Sequence, residues 1–196
     1  MFQVRIHGRG GQGAVTAAEL LSVAAFLEGR HAQAFPSFGS ERTGAPVMAF
    51  CRIDDHPIRV REPVMRPDAL VVQDATLLHQ VNVFDGLRPD GSALINSPGT
   101  IEELGLVDLA ASVPHAIALT VPATVLALRH FGRPVPNAVL LGGLAALTGC
   151  VRLDSLTAAI EERFPGQLGI ANAEAAREAF AHVAAEREEY VRAEAD

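Results

Sequence analysis

Hydrophobic and polar positions change period several times along this chain. Phe2-Gln3-Val4-Arg5-Ile6 alternates with period two, as a strand does, so a strand is expected over residues 2–7. Residues 14–28 switch to helical spacing, with Val15, Leu20, Leu21, Val23, Ala24 and Leu27 as the apolar stripe and Gly29 as the stop. A short strand near 31–35 follows, then a polar loop over 36–46 punctuated by glycine and proline. Val47–Ile53 and Ile58–Arg61 flank Asp54-Asp55-His56-Pro57 and read as a hairpin. Ala69–Gln73, Ser92–Asn96 and residues near Ala116–Leu119 read as further strands, and Leu77–Val81 as a short helix. From there the pattern is helical: 121–131, with Pro122 in the first turn, then 137–149, 154–164 and 172–192. Asp154 and Asn172 are the expected N-caps.

Strands that alternate with helices before a helical last third imply an α/β fold. The expected architecture is a mixed sheet covered by helices, entered through a glycine-rich strand-loop-helix at the N-terminus. No repeat, linker or break in composition divides residues 1–196, so one domain is expected. With 196 residues, 49% of them hydrophobic, the chain can bury a substantial core. No apolar run is long enough to span a bilayer, so no membrane association is expected. The strand pattern begins at once, without the charged and apolar regions of a signal peptide, which makes the cytoplasm the expected compartment.

Charge and residue inventory narrow the chemistry. A net charge of -7 disfavours nucleic acid as a partner. Two cysteines, Cys51 and Cys150, cannot hold an iron–sulfur cluster and lack zinc-site spacing. They are expected to be ordinary buried thiols. All 16 basic residues are arginines, which excludes a P-loop lysine, a Schiff-base lysine and a Ser-Lys dyad. The seven histidines form no metal-binding spacing, and no G-x-S-x-G elbow supports a triad. No self-contained catalytic apparatus is legible, as fits a subunit that assists a partner.

Two loops carry the candidate chemistry. Gly8-Arg9-Gly10-Gly11-Gln12-Gly13 follows a strand and opens a helix, satisfying G-x-G-x-x-G. Glycines allow the tight turn and close approach of the backbone, and the helix N-terminus offers free N–H groups suited to a phosphate. A strand-to-helix turn that binds nothing would leave the same pattern. The second strand ends Gln33-Ala34-Phe35-Pro36 without the acidic residue that a ribose needs, so NAD is disfavoured. The second loop, Gly39-Ser40-Glu41-Arg42-Thr43-Gly44, should emerge at the same edge of the sheet as the first. Both can face one ligand or one partner, or be solvated. The C-terminal helix pairs Ala176, Phe180, Val183, Ala184 and Val191 with a charged face and either packs on its own domain or docks elsewhere.

These residues resemble a known family. Gly8-Arg9-Gly10-Gly11-Gln12-Gly13 is similar to the G-x-G-G-Q-G signature of the gamma subunit of pyruvate and related 2-oxoacid:ferredoxin oxidoreductases. Gly39–Gly44, followed by Ala45-Pro46-Val47, resembles its G-x-E-R-x-G loop. Asp68–Asp74, Gly91–Ser97 and Pro136–Gly143 resemble its middle strands and late helix, so the likeness runs nearly the whole chain in order. Thr43 stands where many relatives have glycine, and no lysine lies near Phe164-Pro165-Gly166-Gln167, where many carry one. The resemblance implies a gamma-type subunit in a CoA-acylating oxidative decarboxylation of pyruvate or a related 2-oxoacid. It implies coenzyme A contacts at Gly8, Arg9, Gly10, Gly11, Gln12, Gly13, Ser40, Glu41, Arg42 and Thr43. Thiamine diphosphate and [4Fe-4S] clusters are implied on the alpha, beta and ferredoxin-like delta subunits, with an NAD-linked electron-transfer subunit as an optional partner. The competing readings are a purely structural interaction subunit and a free-standing Rossmann-type nucleotide-binding protein.

Overall fold

The computed structural model describes residues 1–37, 43–106 and 116–195. Six strands form one sheet: β1 (Phe2–Arg9), β2 (His31–Pro36), β3 (Pro46–Asp54), β4 (Ala69–Val72), β5 (Ser92–Asn96) and β6 (Ile117–Val121), in the order β2-β3-β1-β4-β5-β6. β1 pairs parallel with β4, as β4 does with β5 and β5 with β6. β3 runs antiparallel to both β1 and β2, so β2 points the same way as β1. The sheet is therefore mixed, as expected, and β1 sits where its parallel and antiparallel halves meet.

The helices are α1 (Ala14–Leu27), α2 (Ala123–Phe131), α3 (Asn137–Thr148), α4 (Leu153–Arg163) and α5 (Gln167–Ala195). A 3₁₀ turn spans Ala75–His79, with Asp74 as its cap. The main core lies between the helices and one face of the sheet, where Val4, Ile6, Val71, Leu94 and Val121 are buried. α3 is apolar all round, and Ala138–Leu147 are all buried, as befits a central helix. A Cβ on its Gly142 would run into the backbone carbonyl of Ala176 on α5, so glycine there permits close helix packing.

The other face of the sheet is covered by irregular chain. There Leu70, Val72, Leu77, Val83, Phe84, Ala93 and Ile95 form a smaller core. Helices thus cover one face and coil the other.

Three expectations need correcting. Ile58–Arg61 is not a strand, and β3 finds its partners in β1 and β2 instead. The segment crosses the coil-covered face, where Arg52 donates to the carbonyls of Val60 and Glu62. Asp154 lies inside α4, whose N-cap is Arg152. Asn172 lies inside α5, which begins five residues earlier than expected, and its side chain donates back to the Leu168 carbonyl at 2.8 Å. Gly29 ends α1 with φ 76°, as its position predicts. Both cysteines are free and buried. Burial pushes the Cys150 thiol up to about 11 and that of Cys51 higher still.

Candidate functional site: the carboxyl edge of β1

β1 ends at Arg9, and the chain turns through Gly11 (φ 94°) and Gly13 (φ 77°) into α1. Only glycine holds such angles without strain. Gly8 answers a different need. A Cβ there would sit 2.5 Å from Oε1 of Gln73, a residue fully enclosed beneath it. At Gly13 a Cβ would collide with the Asn137 amide at the start of α3.

The second loop returns to this turn. Gly10 N–H donates to the Ala45 carbonyl at 2.9 Å, Gly44 N–H donates to the Gly10 carbonyl at 3.1 Å, and Thr43 bridges Gly10. The two sequence motifs therefore share one edge of the sheet. Ser40, Glu41 and Arg42 lie outside the described residues.

Arg9 is wired inward. Its Nε donates to Asp74 at 2.9 Å, Nη1 to the Gly44 carbonyl, and Nη2 to Thr76 and Gln80. Four of its five N–H bonds are spent within the chain. Gln12 closes the circuit, accepting from Arg9 N–H at 2.8 Å and donating to Asp74 at 3.0 Å. Partial burial opposes ionisation of Asp74. Hydrogen bonds from Thr76 and Gln12, with the charge of Arg9, outweigh it and hold the carboxyl below its ordinary range. Gln12, which a dinucleotide fingerprint does not ask for, thus fixes the shape of the loop.

The start of α1 remains open. Gly13 is its N-cap, and no side chain among the described residues caps the first turn. The first-turn N–H groups and the positive end of the helix dipole stay available. They border a cleft of about 230 Å³ lined by Gly11, Gly13, Thr16, Arg133, Asn137 and Arg163. Arg133 and Arg163 are exposed and make no ion pair among the described residues. Arg163 stacks over Phe164, 5.5 Å from the ring centre. First-turn N–H groups beside two guanidinium groups unpaired among the described residues are an arrangement suited to an anion.

Sequence reasoning found the glycine loop but missed Asp74, Thr76 and Gln80, which anchor it. Their signal was the Asp-x-Thr at the carboxyl end of an expected strand, the edge where open sheets gather their ligand loops. Arg133 and Arg163 left no local signal, because α2 and α4 bring them to the cleft from far along the chain. Among the described residues no group of histidines, cysteines or carboxylates is placed to hold a metal, and no helix is long and apolar enough to cross a membrane.

Comparison with known proteins agrees in fold and sequence. The family described as pyruvate ferredoxin/flavodoxin oxidoreductase matches residues 3–182. The pyruvate synthase subunit PorC of Methanothermobacter marburgensis is 52% identical over 92% of this chain and 96% of its own length. The pyruvate/ketoisovalerate oxidoreductases common subunit gamma of Pyrococcus abyssi is 49% identical over the same shares. The crystal structure of pyruvate oxidoreductase subunit PORC from Thermotoga maritima superposes with a TM-score of 0.77 at 38% identity, covering 91% of this chain and 94% of that one. The chain belongs to the pyruvate ferredoxin/flavodoxin oxidoreductase family and is a gamma-type subunit of a 2-oxoacid oxidoreductase complex.

Proposed function

We propose that the open start of α1 holds a phosphate group of coenzyme A in the assembled enzyme, with residues 1–196 acting as one gamma-type domain. The carrying observation is the first turn of α1, uncapped among the described residues, facing two exposed arginines that make no ion pair among those residues. Gly10, Gly11 and Gly13 let the backbone approach the ligand. Arg133 and Arg163 supply charge from the far side of the cleft. Arg9 shapes the loop through Asp74, Thr76 and Gln80 rather than offering its full guanidinium to the ligand. In this reading Ser40, Glu41, Arg42 and Thr43 are further contacts of the same ligand.

In this reading the subunit supplies assembly contacts and a CoA seat. Alpha, beta and ferredoxin-like delta subunits hold thiamine diphosphate and [4Fe-4S] clusters, in the cytoplasm, with pyruvate or a related 2-oxoacid as substrate. A gamma subunit common to two oxidoreductases, as the P. abyssi protein is named, fits a role at the shared acyl acceptor better than one in choosing the 2-oxoacid. The inward wiring of Arg9 favours a second reading, in which the loop is purely a structural interface.

One experiment separates them. Arg133→Ala combined with Arg163→Ala should raise the holoenzyme's KM for CoA about tenfold or more, since charge-assisted hydrogen bonds contribute about 1.5–3 kcal/mol each. The kcat and the subunit composition should hold. An unchanged KM overturns the CoA reading, and loss of co-purifying subunits supports the interface.

A further inference from the structure

On the coil-covered face of the sheet, opposite α1, lies a cavity of about 460 Å³. That size suits a small molecule. Its walls are apolar: Met48 and Phe50 from β3, Val64 and Met65 from the crossing segment, and Leu77 and Val81 from the region of the 3₁₀ turn. Its floor is not. Arg5 and His7 of β1 line it, with relative exposures of only 6% and 5%.

The charge of Arg5 is the unexplained element. Its Nε donates to His7 Nε2 at 3.0 Å, and Nη1 donates to the Val64 carbonyl. Nη2 donates to the carbonyls of Val83 and Asp85. Among the described residues every acceptor is neutral, and one Nη1–H is left over. No carboxylate among the described residues lies within ion-pair distance of Arg5. The Asp85 side chain favours the cation only from farther away. Burying a cation without an anion costs several kcal/mol unless something compensates it.

His7 adds a donor. Its Nε2 accepts from Arg5, so the ring proton rests on Nδ1, and this N–H has no partner among the described residues. Burial, then the charge of Arg5, lower its pKa to about 4, so the ring is a neutral donor near pH 7. The floor thus presents donors beside a positive charge that the Asp85 carboxylate offsets only from beyond ion-pair distance. Asn82 and the Asp85 carboxylate also line the cavity. Asp85 would repel a second negative charge, which limits an anionic occupant to one.

We propose that this cavity binds a small monocarboxylate with a short apolar body. The carboxylate meets Arg5 Nη1–H and His7 Nδ1–H at the floor, and the hydrocarbon packs against Met48, Phe50, Met65 and Val81. The class includes short branched-chain acids. The site rests on side chains of this subunit and does not depend on the CoA reading.

The chain carries its own reporters. It has three methionines, of which Met48 and Met65 line the cavity, while Met1 is exposed and its ammonium group pairs with Asp54 at 2.9 Å. The full chain, labelled at methionine methyls with ¹³C, is titrated with 3-methylbutanoate and, separately, with 3-methylbutanamide. The expected result is saturable movement of the Met48 and Met65 signals, a still Met1, and binding of the amide about tenfold weaker or worse, one charge-assisted contact being lost. Val81→Trp, placed at a position 37% exposed, should abolish the movement while leaving Tm and the Met1 signal unchanged. Absence of saturable movement overturns the proposal, as does continued binding by the Val81→Trp chain. Equal movement by acid and amide also overturns it, and would make the cavity an apolar seat for a neighbouring chain.

Discussion

The two faces of this sheet diverge most along β1 and β3, which turn only apolar residues toward the helices and bury two arginines under the coil. Under the helices, β1 contributes Val4 and Ile6, β3 contributes Ala49, Cys51 and Ile53, and no charge is buried by either strand. Under the coil, the same strands contribute Arg5, His7 and Arg52, all nearly inaccessible. The difference follows from what covers each face. A helix satisfies its own backbone, so the sheet beneath it need offer only shape. Irregular chain arrives with unpaired carbonyls, and the sheet must supply donors. Arg5 serves Val64, Val83 and Asp85, while Arg52 serves Val60 and Glu62 and lies over Phe35, 5.0 Å from its ring centre. Two arginines stand where helices would have needed leucines.

If that account is right, the two faces should fail in different ways. The largest effect is expected under the helices. Leu141→Ala, in a wholly buried position on α3, should cost about 2–5 kcal/mol through lost burial and the cavity left behind. Urea unfolding should show it with an unchanged slope.

Next comes pH dependence on the coil side. His7 titrates at about 4 in the folded chain against about 6.5 unfolded, burial being the main cause. The unfolded state therefore takes up the proton first. The stability that His7 contributes is complete above pH 6.5 and is lost as pH falls toward 4, a loss of about 3 kcal/mol at most. His7→Gln, which can still accept from Arg5, should flatten this slope in Tm measured between pH 7 and 4.

Arg52→Met should cost about 2 kcal/mol, by leaving the Val60 and Glu62 carbonyls without their donor. It should also speed hydrogen exchange or limited proteolysis across residues 57–65, whereas Leu141→Ala should leave that segment's local protection relative to the whole unaltered. At the bottom of the scale, Arg192→Ala removes an exposed i,i+4 pair with Glu188 at 3.4 Å and should move stability by less than about 0.5 kcal/mol. A larger effect there would mean that this pair contributes more than exposed ion pairs ordinarily do.

The same contrast explains what could be read from the sequence. The helix-covered half was legible because periodicity reports burial directly: β1, the glycine turn, α1 and the succession of late helices follow the pattern of apolar positions. The coil-covered half was not. Ile58–Arg61 has the composition of a strand, but the carbonyls of Val60 and of the following Glu62 are taken by the Arg52 side chain of β3, a pairing that no local pattern encodes. Asn172 looks like a cap, yet its amide can equally bond back within a helix, and tertiary packing of α5 decides the matter. The candidate site divides likewise. The glycine loop lies in consecutive residues, while its anchors Asp74, Thr76 and Gln80 stand more than sixty residues away. What made Gln12 informative was its misfit to a dinucleotide fingerprint, and the structure supplies the reason in its bonds to Arg9 and Asp74.

The central place of β1 has a consequence for synthesis on the ribosome. β1 is made first, but its parallel neighbour β4 follows much later, Val4 pairing with Ala69. At about 5–20 residues per second, the first strand waits on the order of 3–13 seconds for that edge to be covered. During this interval an uninterrupted apolar strand would invite pairing between nascent chains. Arg5, between Val4 and Ile6, breaks the run with a charge. The residue that later holds the coil in place thus first keeps the strand from finding the wrong partner.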